Sequence, residues 1–312
     1  MSAPDDEFSF LAEQAAEAGL DGAIPPAERL SLELADGRML SALRYGGGSP
    51  AVTFLHGAGL NAHTWDTAIL ALGLPALAID LPGHGDSSWR DDMAYVARAL
   101  APDIAAGIVA WTDRPQLLVG HSLGGLTAAA LAAVRPELVR ELVVIDITPG
   151  IDPDGDAAQL REFFAGPMDW ASRQELVERA LSYGLGGSPE AAARGVHFNS
   201  RVRPDGRVEW KHHFARIANA MAADPEAAEA MGAAQDGMRA ILGTTGWEDF
   251  AGVAAPITLI RGERGFVTEA DAADFAARVP QASIVVVPSG HNVQEELPVE
   301  LGRRLAALAG AH

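Results

Sequence analysis

Short, uniformly apolar stretches alternate with longer helical patterns along most of this chain. The apolar stretches have the length and composition of buried strands, and the longer patterns predict helices. The predicted strands are Ala51–Leu55, Ala76–Asp80, Gln116–Gly120, Leu142–Ile147, Ile257–Ile260 and Ser283–Val287, and the predicted helices are Asn61–Leu70, Asp91–Thr112, Thr127–Val134, Glu269–Val279 and Val293–Leu308. This alternation predicts an α/β fold with a parallel sheet covered on both faces.

The first part of the chain has a different pattern. Residues 8–18 form an amphipathic pattern that predicts a short helix. Polar and apolar residues then alternate over Arg29–Ala35 and Met39–Tyr45, on either side of Asp36-Gly37. Alternation around an Asp-Gly pair predicts a β-hairpin.

A second departure interrupts the strands between Ile147 and Ile257. Its patterns are helical and are separated by glycine and proline turns; they cover Asp156–Ala165, Arg173–Leu181, Phe214–Ala223 and Glu226–Leu242. We therefore expect a helical lid, or cap, over residues 148–247, inserted into a core made of residues 1–147 and 248–312.

One stretch combines a buried strand, a sharp turn and a helix. The strand leads into Gly120-His121-Ser122-Leu123-Gly124, and an alanine-rich helix follows at once. A G-x-S-x-G sequence between a strand and a helix is typical of a nucleophile elbow, in which glycines allow the close approach of strand and helix. Ser122 is therefore the candidate nucleophile, at the positive end of a helix.

An activated serine needs a base within hydrogen-bond reach. His291 follows the last predicted strand directly, in Ser289-Gly290-His291-Asn292. Active-site groups of parallel sheets lie at the carboxyl ends of the strands, which is also where Ser122 lies. His291 is therefore the candidate base. We expect His121, which precedes Ser122 in the sequence, to have a structural role.

The base needs a third group that orients it, and two carboxylates qualify. Asp146 ends an otherwise apolar strand, in Val143-Val144-Ile145-Asp146-Ile147. A buried carboxylate is costly unless it has a partner, and an imidazole would serve. Glu263 follows the penultimate strand and is the alternative acid.

The oxyanion of an acyl-transfer reaction needs two backbone N–H donors. The elbow supplies the amide of Leu123, and the loop Phe54-Leu55-His56-Gly57-Ala58-Gly59 can supply the amide of Ala58. His56 is expected to brace this loop by hydrogen bonds and is also a candidate substrate-binding residue. The lid aromatics Phe163, Trp170 and Trp210 are candidates for lining an acyl pocket.

The composition excludes several kinds of chemistry. The chain has 312 residues and no cysteine, so disulfides, thiolate metal sites and a cysteine nucleophile are excluded. No metal-binding motif is present, and we expect no metal and no cofactor. The net charge of −19 disfavours nucleic acids and anionic membranes as partners. The first residues lack a secretion signal and no apolar run reaches the roughly 20 residues of a membrane span, so a soluble cytoplasmic protein is expected.

The motifs together are similar to those of the α/β-hydrolase superfamily. They are His56-Gly57, Asp80-x-Pro82-Gly83-His84-Gly85-x-Ser87, Gly120-x-Ser122-x-Gly124 and Gly290-His291, and the resemblance covers residues 50–147 and 256–309. It implies a mostly parallel eight-stranded sheet, a lid after the sixth strand and a catalytic triad.

The sequence departs from the commonest pattern of that superfamily in the position of the acid. In that pattern the acid follows the seventh strand, where Gly265 stands in this chain. Asp146-Ile147-Thr148-Pro149 is instead similar to a branch of small acyl-ester hydrolases whose acid follows the sixth strand. The resemblance thus implies a triad of Ser122, His291 and Asp146.

We accordingly expect a serine esterase acting on a small, apolar substrate. Carbon–carbon bond hydrolases, thioesterases and lactonases use the same triad and remain alternatives, as does a non-catalytic ligand-binding protein of this fold.

Overall fold

Alternate residues of the central strands face two different hydrophobic clusters. The computed structural model describes residues 7–151, 163, 166–183, 185–214, 216 and 245–310. In its second strand, Leu40 and Ala42 belong to one cluster, and Leu43 and Tyr45 belong to the other. Because successive side chains of a strand point to opposite faces, the sheet is buried on both sides.

The sheet has eight strands and is mostly parallel, as predicted. Its strands are β1 (Ala27–Glu33), β2 (Met39–Tyr45), β3 (Val52–Leu55), β4 (Ala76–Asp80), β5 (Gln116–His121), β6 (Val139–Ile145), β9 (Ile257–Gly262) and β10 (Ala282–Val287). The strand order is β1-β2-β4-β3-β5-β6-β9-β10, and within this sheet only the pairs β1–β2 and β2–β4 are antiparallel.

Helices cover both faces of this sheet. In chain order the described core helices are α1 (Leu11–Glu17), α2 (Asp66–Leu72), α3 (Ala97–Trp111), α4 (Leu123–Val134), α7 (Glu269–Arg278), α8 (Val293–Glu296) and α9 (Pro298–Gly310), with a 3-10 turn at Ala62–Trp65. Apolar residues of α3 and α4 join the first cluster, and those of α2 and α9 join the second.

The bounds of several core helices differ from the prediction, and α3 and the closing helix differ most. The first, α3, begins at Ala97 and not at Asp91, because residues before it form turns in which Met93 has a positive φ of 52°. The predicted closing helix is divided into α8 and α9 at Leu297. Pro298 accounts for that division, since proline lacks the N–H of a helix interior and is well suited to the first position of a helix.

The insertion between β6 and β9, predicted as a lid over residues 148–247, contains strands as well as helices where it is described. The predicted helix α5 is present at Arg173–Ser182, but a second helix, α6 (Pro189–Asn199), was missed. A two-stranded hairpin of β7 (Ser200–Val202) and β8 (Val208–Trp210) was also missed. Strands of three residues are too short to produce a recognisable alternation. The helices predicted over 156–165, 214–223 and 226–242 fall almost entirely outside the described residues.

The described part of the insertion has a small hydrophobic cluster of its own. It contains residues from α5, α6 and β8, among them Leu176, Val196 and Trp210.

None of the helices in the described part of the chain has the length and apolar character needed to cross a membrane.

Candidate active site

Ser122 occupies a turn of one residue between β5 and α4. Its backbone has φ 51° and ψ −122°, a conformation that residues other than glycine rarely adopt. A Cβ on Gly120 would come within 2.4 Å of the Gly124 carbonyl oxygen, and one on Gly124 within 2.3 Å of the Leu55 oxygen. The two glycines therefore permit the close contact that presents the serine, as the sequence predicts.

Asp146 lies directly after β6 and is fully buried, and its carboxylate accepts three hydrogen bonds. Oδ1 accepts from the amide of Gly262 at 3.0 Å, and Oδ2 accepts from the amide of Phe266 at 2.6 Å. Oδ2 also accepts from Nδ1 of His291 at 2.7 Å. These three donors compensate for the loss of water around the charge.

Gly265 leaves the space that the Asp146 carboxylate occupies. A Cβ at position 265 would lie 2.2 Å from Oδ1 of Asp146. The Asp146 carboxylate thus fills the space beside the loop after β9, where the commonest pattern would place the acid. Glu263, the alternative acid, is exposed and is not brought to His291.

Ser122 and His291 line the same pocket, of about 450 Å³, which we call the Ser122 pocket. It lies between the carboxyl ends of the central strands and the insertion. His291 reaches it from the loop after β10, and the His291 side chain is 14% exposed. The structure therefore brings the predicted nucleophile, base and first-choice acid together from three separate loops.

The two predicted oxyanion donors lie beside this pocket. Ala58 lines it, and Leu123 is the first residue of α4. Within the described part of the chain, neither amide N–H donates a hydrogen bond to a protein acceptor. A Cβ on Gly57 would lie 3.2 Å from Cβ of Ser122, so this loop passes directly over the elbow.

His56 is a brace and not a pocket residue. It is fully buried; its Nδ1 donates to the Gly57 oxygen at 2.8 Å and its Nε2 accepts from the Leu81 amide at 2.9 Å. Burial lowers the pKa of its imidazole, which favours the neutral form that this pair of bonds requires. The expected brace is present, but the substrate-binding role predicted for His56 is not supported, because both ring nitrogens are occupied in the loop.

The three aromatic residues predicted to line the acyl pocket are not equivalent. Phe163 and Trp210 line the Ser122 pocket. Trp170 lies behind Trp210, with the ring centroids 5.6 Å apart in an edge-to-face arrangement, and is not part of the lining. Trp170 therefore supports Trp210 and does not face a substrate.

Two neighbours hold His291 in place. His121 Nε2 donates to the carbonyl oxygen of His291 at 3.0 Å, which agrees with the structural role expected for it. Burial, together with the nearby His291, holds the pKa of the His121 imidazole well below its usual range. The ring of Phe266 is stacked on the ring of His291, with centroids 3.6 Å apart and planes 12° apart. Phe266 has no signal in the sequence, since this contact arises only where the loops after β9 and β10 meet.

His63 connects the core to the insertion, a role that is also not evident from the sequence. Its Nδ1 lies 3.0 Å from Asp66 Oδ2, and its Nε2 lies 3.1 Å from Glu7 Oε1. Carboxylates only accept, so both nitrogens must carry protons and the ring is an imidazolium. Burial alone would lower the pKa of His63, but the two carboxylates raise it to about 9. The ring stacks on Phe198 of α6, with centroids 3.7 Å apart.

A second contact between core and insertion lies beside the first. The side-chain amide of Asn61 donates to Oδ1 of Asn199 at 2.7 Å.

In the described residues, no three histidine, aspartate or glutamate side chains are grouped as metal ligands would be.

Comparisons with known proteins find a matching family model and several similar proteins. A family model described as "Alpha/beta hydrolase family" matches residues 54–304. The esterase Rv0045c of Mycobacterium tuberculosis is 37% identical over 305 residues, which are 94% of this chain and 92% of that protein. The 2-(acetamidomethylene)succinate hydrolase of Mesorhizobium japonicum is 28% identical over 268 residues, 85% of this chain and 89% of that protein.

Solved structures extend the comparison to the fold. A refined structure of the M. tuberculosis esterase Rv0045c has a TM-score of 0.81 at 35% identity and covers 98% of this chain and 99% of its own. A structure of E-2-(acetamidomethylene)succinate hydrolase has a TM-score of 0.75 at 23% identity, covering 92% of this chain and 100% of its own. The second likeness concerns the fold alone.

The role of Gly265 can be tested by adding a single methyl group. We expect Gly265→Ala to push the Asp146 carboxylate away from His291, because the new Cβ would overlap Oδ1. The downfield Nδ1–H proton resonance of His291 should disappear from the NMR spectrum, and the free energy of unfolding should fall by about 1–3 kcal/mol. Gly22→Ala is the control, since a Cβ there meets nothing within 4 Å. Retention of both the resonance and the stability in Gly265→Ala would contradict this account of the acid.

Proposed function

The chain belongs to the alpha/beta hydrolase family, and from that premise we propose that it is a serine hydrolase that cleaves carboxylic esters. The observation that carries the proposal is the hydrogen bond between His291 Nδ1 and the buried Asp146, 2.7 Å long, at the edge of the pocket that also contains Ser122. The similarity to an esterase over 94% of the chain supports the same reaction.

In the proposed mechanism, Ser122 Oγ attacks the carbonyl carbon of the ester and His291 accepts the serine proton. Because Nδ1 of His291 donates to Asp146, the proton acceptor is Nε2 of the same ring. Asp146 stabilises the imidazolium that forms. His291 then protonates the leaving alcohol, and a water molecule activated by His291 releases the acid from the acyl-enzyme.

The negative charge that develops on the carbonyl oxygen would be held by the amides of Ala58 and Leu123. Both amides lack a protein acceptor in the described part of the chain, so they are available. Loss of one such donor typically costs about 100- to 1,000-fold in rate. The backbone of Ser122 is held at a positive φ by the surrounding contacts, which keeps the nucleophile and these donors in a fixed relation.

We propose that the insertion, residues 148–247, acts as a cap that forms one side of the substrate pocket. Phe163 and Trp210 supply apolar surface from that side. His63 and Asn61 supply the contacts to α6 that hold the cap over the site. A small ester with an apolar portion fits a pocket of about 450 Å³ with such a lining.

The nucleophile is tested by Ser122→Ala. We expect turnover of short acyl esters to fall by about a millionfold while the melting temperature and the circular dichroism spectrum stay those of wild type. The assay should compare acyl esters, thioesters, lactones and ring-cleavage diketones on both proteins, because the Ser122-dependent rate then identifies the bond that is cleaved. Near-normal ester hydrolysis by Ser122→Ala would refute the mechanism, and a Ser122-dependent rate confined to diketones would assign the carbon–carbon hydrolase alternative.

The acid is tested by two conservative substitutions. Asp146→Asn removes the charge but keeps the shape, and should lower kcat by about 10,000-fold because the His291 tautomer is no longer fixed. Glu263→Gln is the matched control and should leave kcat unchanged, because that side chain is exposed. A larger loss in Glu263→Gln than in Asp146→Asn would reverse the assignment, and equal mild losses would reject both residues.

A further inference from the structure

The Ser122 pocket has two chemically different sides. The insertion contributes most of the large apolar side chains, which are Phe163, Leu185, Ala192, Val196 and Trp210, and also the polar Arg194, Asn199 and His212. The core contributes a polar side from α1, the 3-10 turn, α2 and α8, with Gln14, Thr64, Thr67 and Gln294. A substrate that filled this pocket would therefore have the large apolar side chains of the insertion on one side and hydrogen-bonding groups of the core on the other.

Two glutamines on the polar side are buried and incompletely bonded. Gln14 of α1 is 6% exposed and Gln294 of α8 is 1% exposed. In the described part of the chain, neither Oε1 atom receives a hydrogen bond. The only side-chain contact of Gln294 among these residues is a long one, 3.5 Å from its Nε2 to Thr64 Oγ1.

A buried carbonyl oxygen without a donor destabilises the protein until a donor reaches it. Two such oxygens in the lining of one pocket are most simply explained by a ligand that supplies the missing N–H or O–H groups. Sites of this kind discriminate strongly, because an analogue that lacks the donor leaves the protein atom unsatisfied.

Both glutamines are held in place by their surroundings. Helix α1 is anchored in the core by Leu11, which is 2% exposed. It is joined to α6 by an ion pair of 2.9 Å between Arg194 and Glu17, and by the edge-to-face contact of Phe10 with Phe198. Gln294 lies in α8, which begins two residues after His291.

Charged side chains of both signs line the core side of the pocket, since Glu295 and Glu296 lie there as well as His63. The imidazolium of His63 lines the pocket together with both glutamines. The two carboxamides themselves are uncharged, so a neutral hydroxyl or amide N–H, which loses less solvation on burial, suits them better than an ammonium group.

We propose that Gln14 and Gln294 form a polar subsite that accepts a neutral hydrogen-bond donor, a hydroxyl or an amide N–H, carried by the ester substrate away from its scissile carbonyl. This inference rests on the proposed ester hydrolase function. The substrate is then amphipathic, with its apolar portion against the insertion and its donor against the two carboxamides.

The test compares substrates that differ only in the remote group. One series consists of p-nitrophenyl esters of hexanoic and octanoic acids, each with a terminal methyl, hydroxyl or methoxy group. The second series consists of hexyl, hydroxyhexyl and methoxyhexyl acetates, followed by titration of the released acid, and places the donor on the alcohol side. We expect kcat/KM for the alcohol to exceed that for the methyl ether by about tenfold in one of the two series.

Variants then assign this preference to residues. Gln14→Leu and Gln294→Leu should each reduce the ratio of alcohol to methyl ether, and the double variant should bring it close to one. Gln174→Leu is the matched control, because Gln174 is an exposed residue of α5 outside the pocket; it should keep the wild-type ratio. A ratio of two substrates measured on one protein is unaffected by a general loss of activity.

A second readout separates this role from a structural one. Since each Oε1 is unsatisfied, replacement by leucine should leave the melting temperature unchanged or raise it. A fall in melting temperature with an unchanged substrate ratio would assign the glutamines to folding and overturn the proposal. Equal hydrolysis of the methyl, hydroxyl and methoxy substrates by the wild-type enzyme, or a preference for the methyl ether, would also overturn the proposed subsite but would leave the esterase assignment intact. Only an absence of Ser122-dependent hydrolysis in both series would remove the esterase assignment itself.

Discussion

The arrangement of this site depends on one buried hydrogen bond, between His291 Nδ1 and Asp146 Oδ2. It joins the loop after the last strand of the sheet to the end of β6, two strands away in the sheet order. A carboxylate can be buried at that point only because the loop after β9 turns two backbone amides toward it, those of Gly262 and Phe266. The loop between the two partners is thus part of the acid's environment, although it supplies no acid itself.

Backbone strain and close glycine contacts occur together around this bond. Ser122 and Asp146 both have positive φ angles, near 50°, and each stands at the carboxyl end of a parallel strand. Such conformations cost about 1–3 kcal/mol each and persist only where the surrounding structure enforces them. Gly124 packs against the backbone of Leu55, and Gly265 leaves space for the Asp146 carboxylate. The packed sheet therefore stabilises the strained residues in the positions that the proposed chemistry needs.

The core and its site could be predicted from the sequence because their signals are local. Buried strands are apolar runs, the elbow is a contiguous motif, and His291 and Asp146 stand directly at strand ends. What escaped prediction depends on contacts between distant segments. Phe266 stacks on His291 across two loops, and the glutamines of the polar subsite belong to helices at opposite ends of the chain. The β7–β8 hairpin escaped prediction because its strands have three residues each. The brace expected of His56 is present, but the sequence did not show that both of its ring nitrogens are bonded to the backbone.

The central claim is that the Ser122 hydroxyl attacks an acyl carbon whose oxygen is held by the amides of Ala58 and Leu123. The most direct measurement is a crystal structure of the enzyme after reaction with an alkyl phosphonate ester that mimics the tetrahedral intermediate. We predict a covalent bond from phosphorus to Ser122 Oγ, with the phosphoryl oxygen about 2.7–3.1 Å from both amides and His291 still bonded to Asp146. An adduct on another residue, or a phosphoryl oxygen beyond hydrogen-bond reach of both amides, would contradict the account.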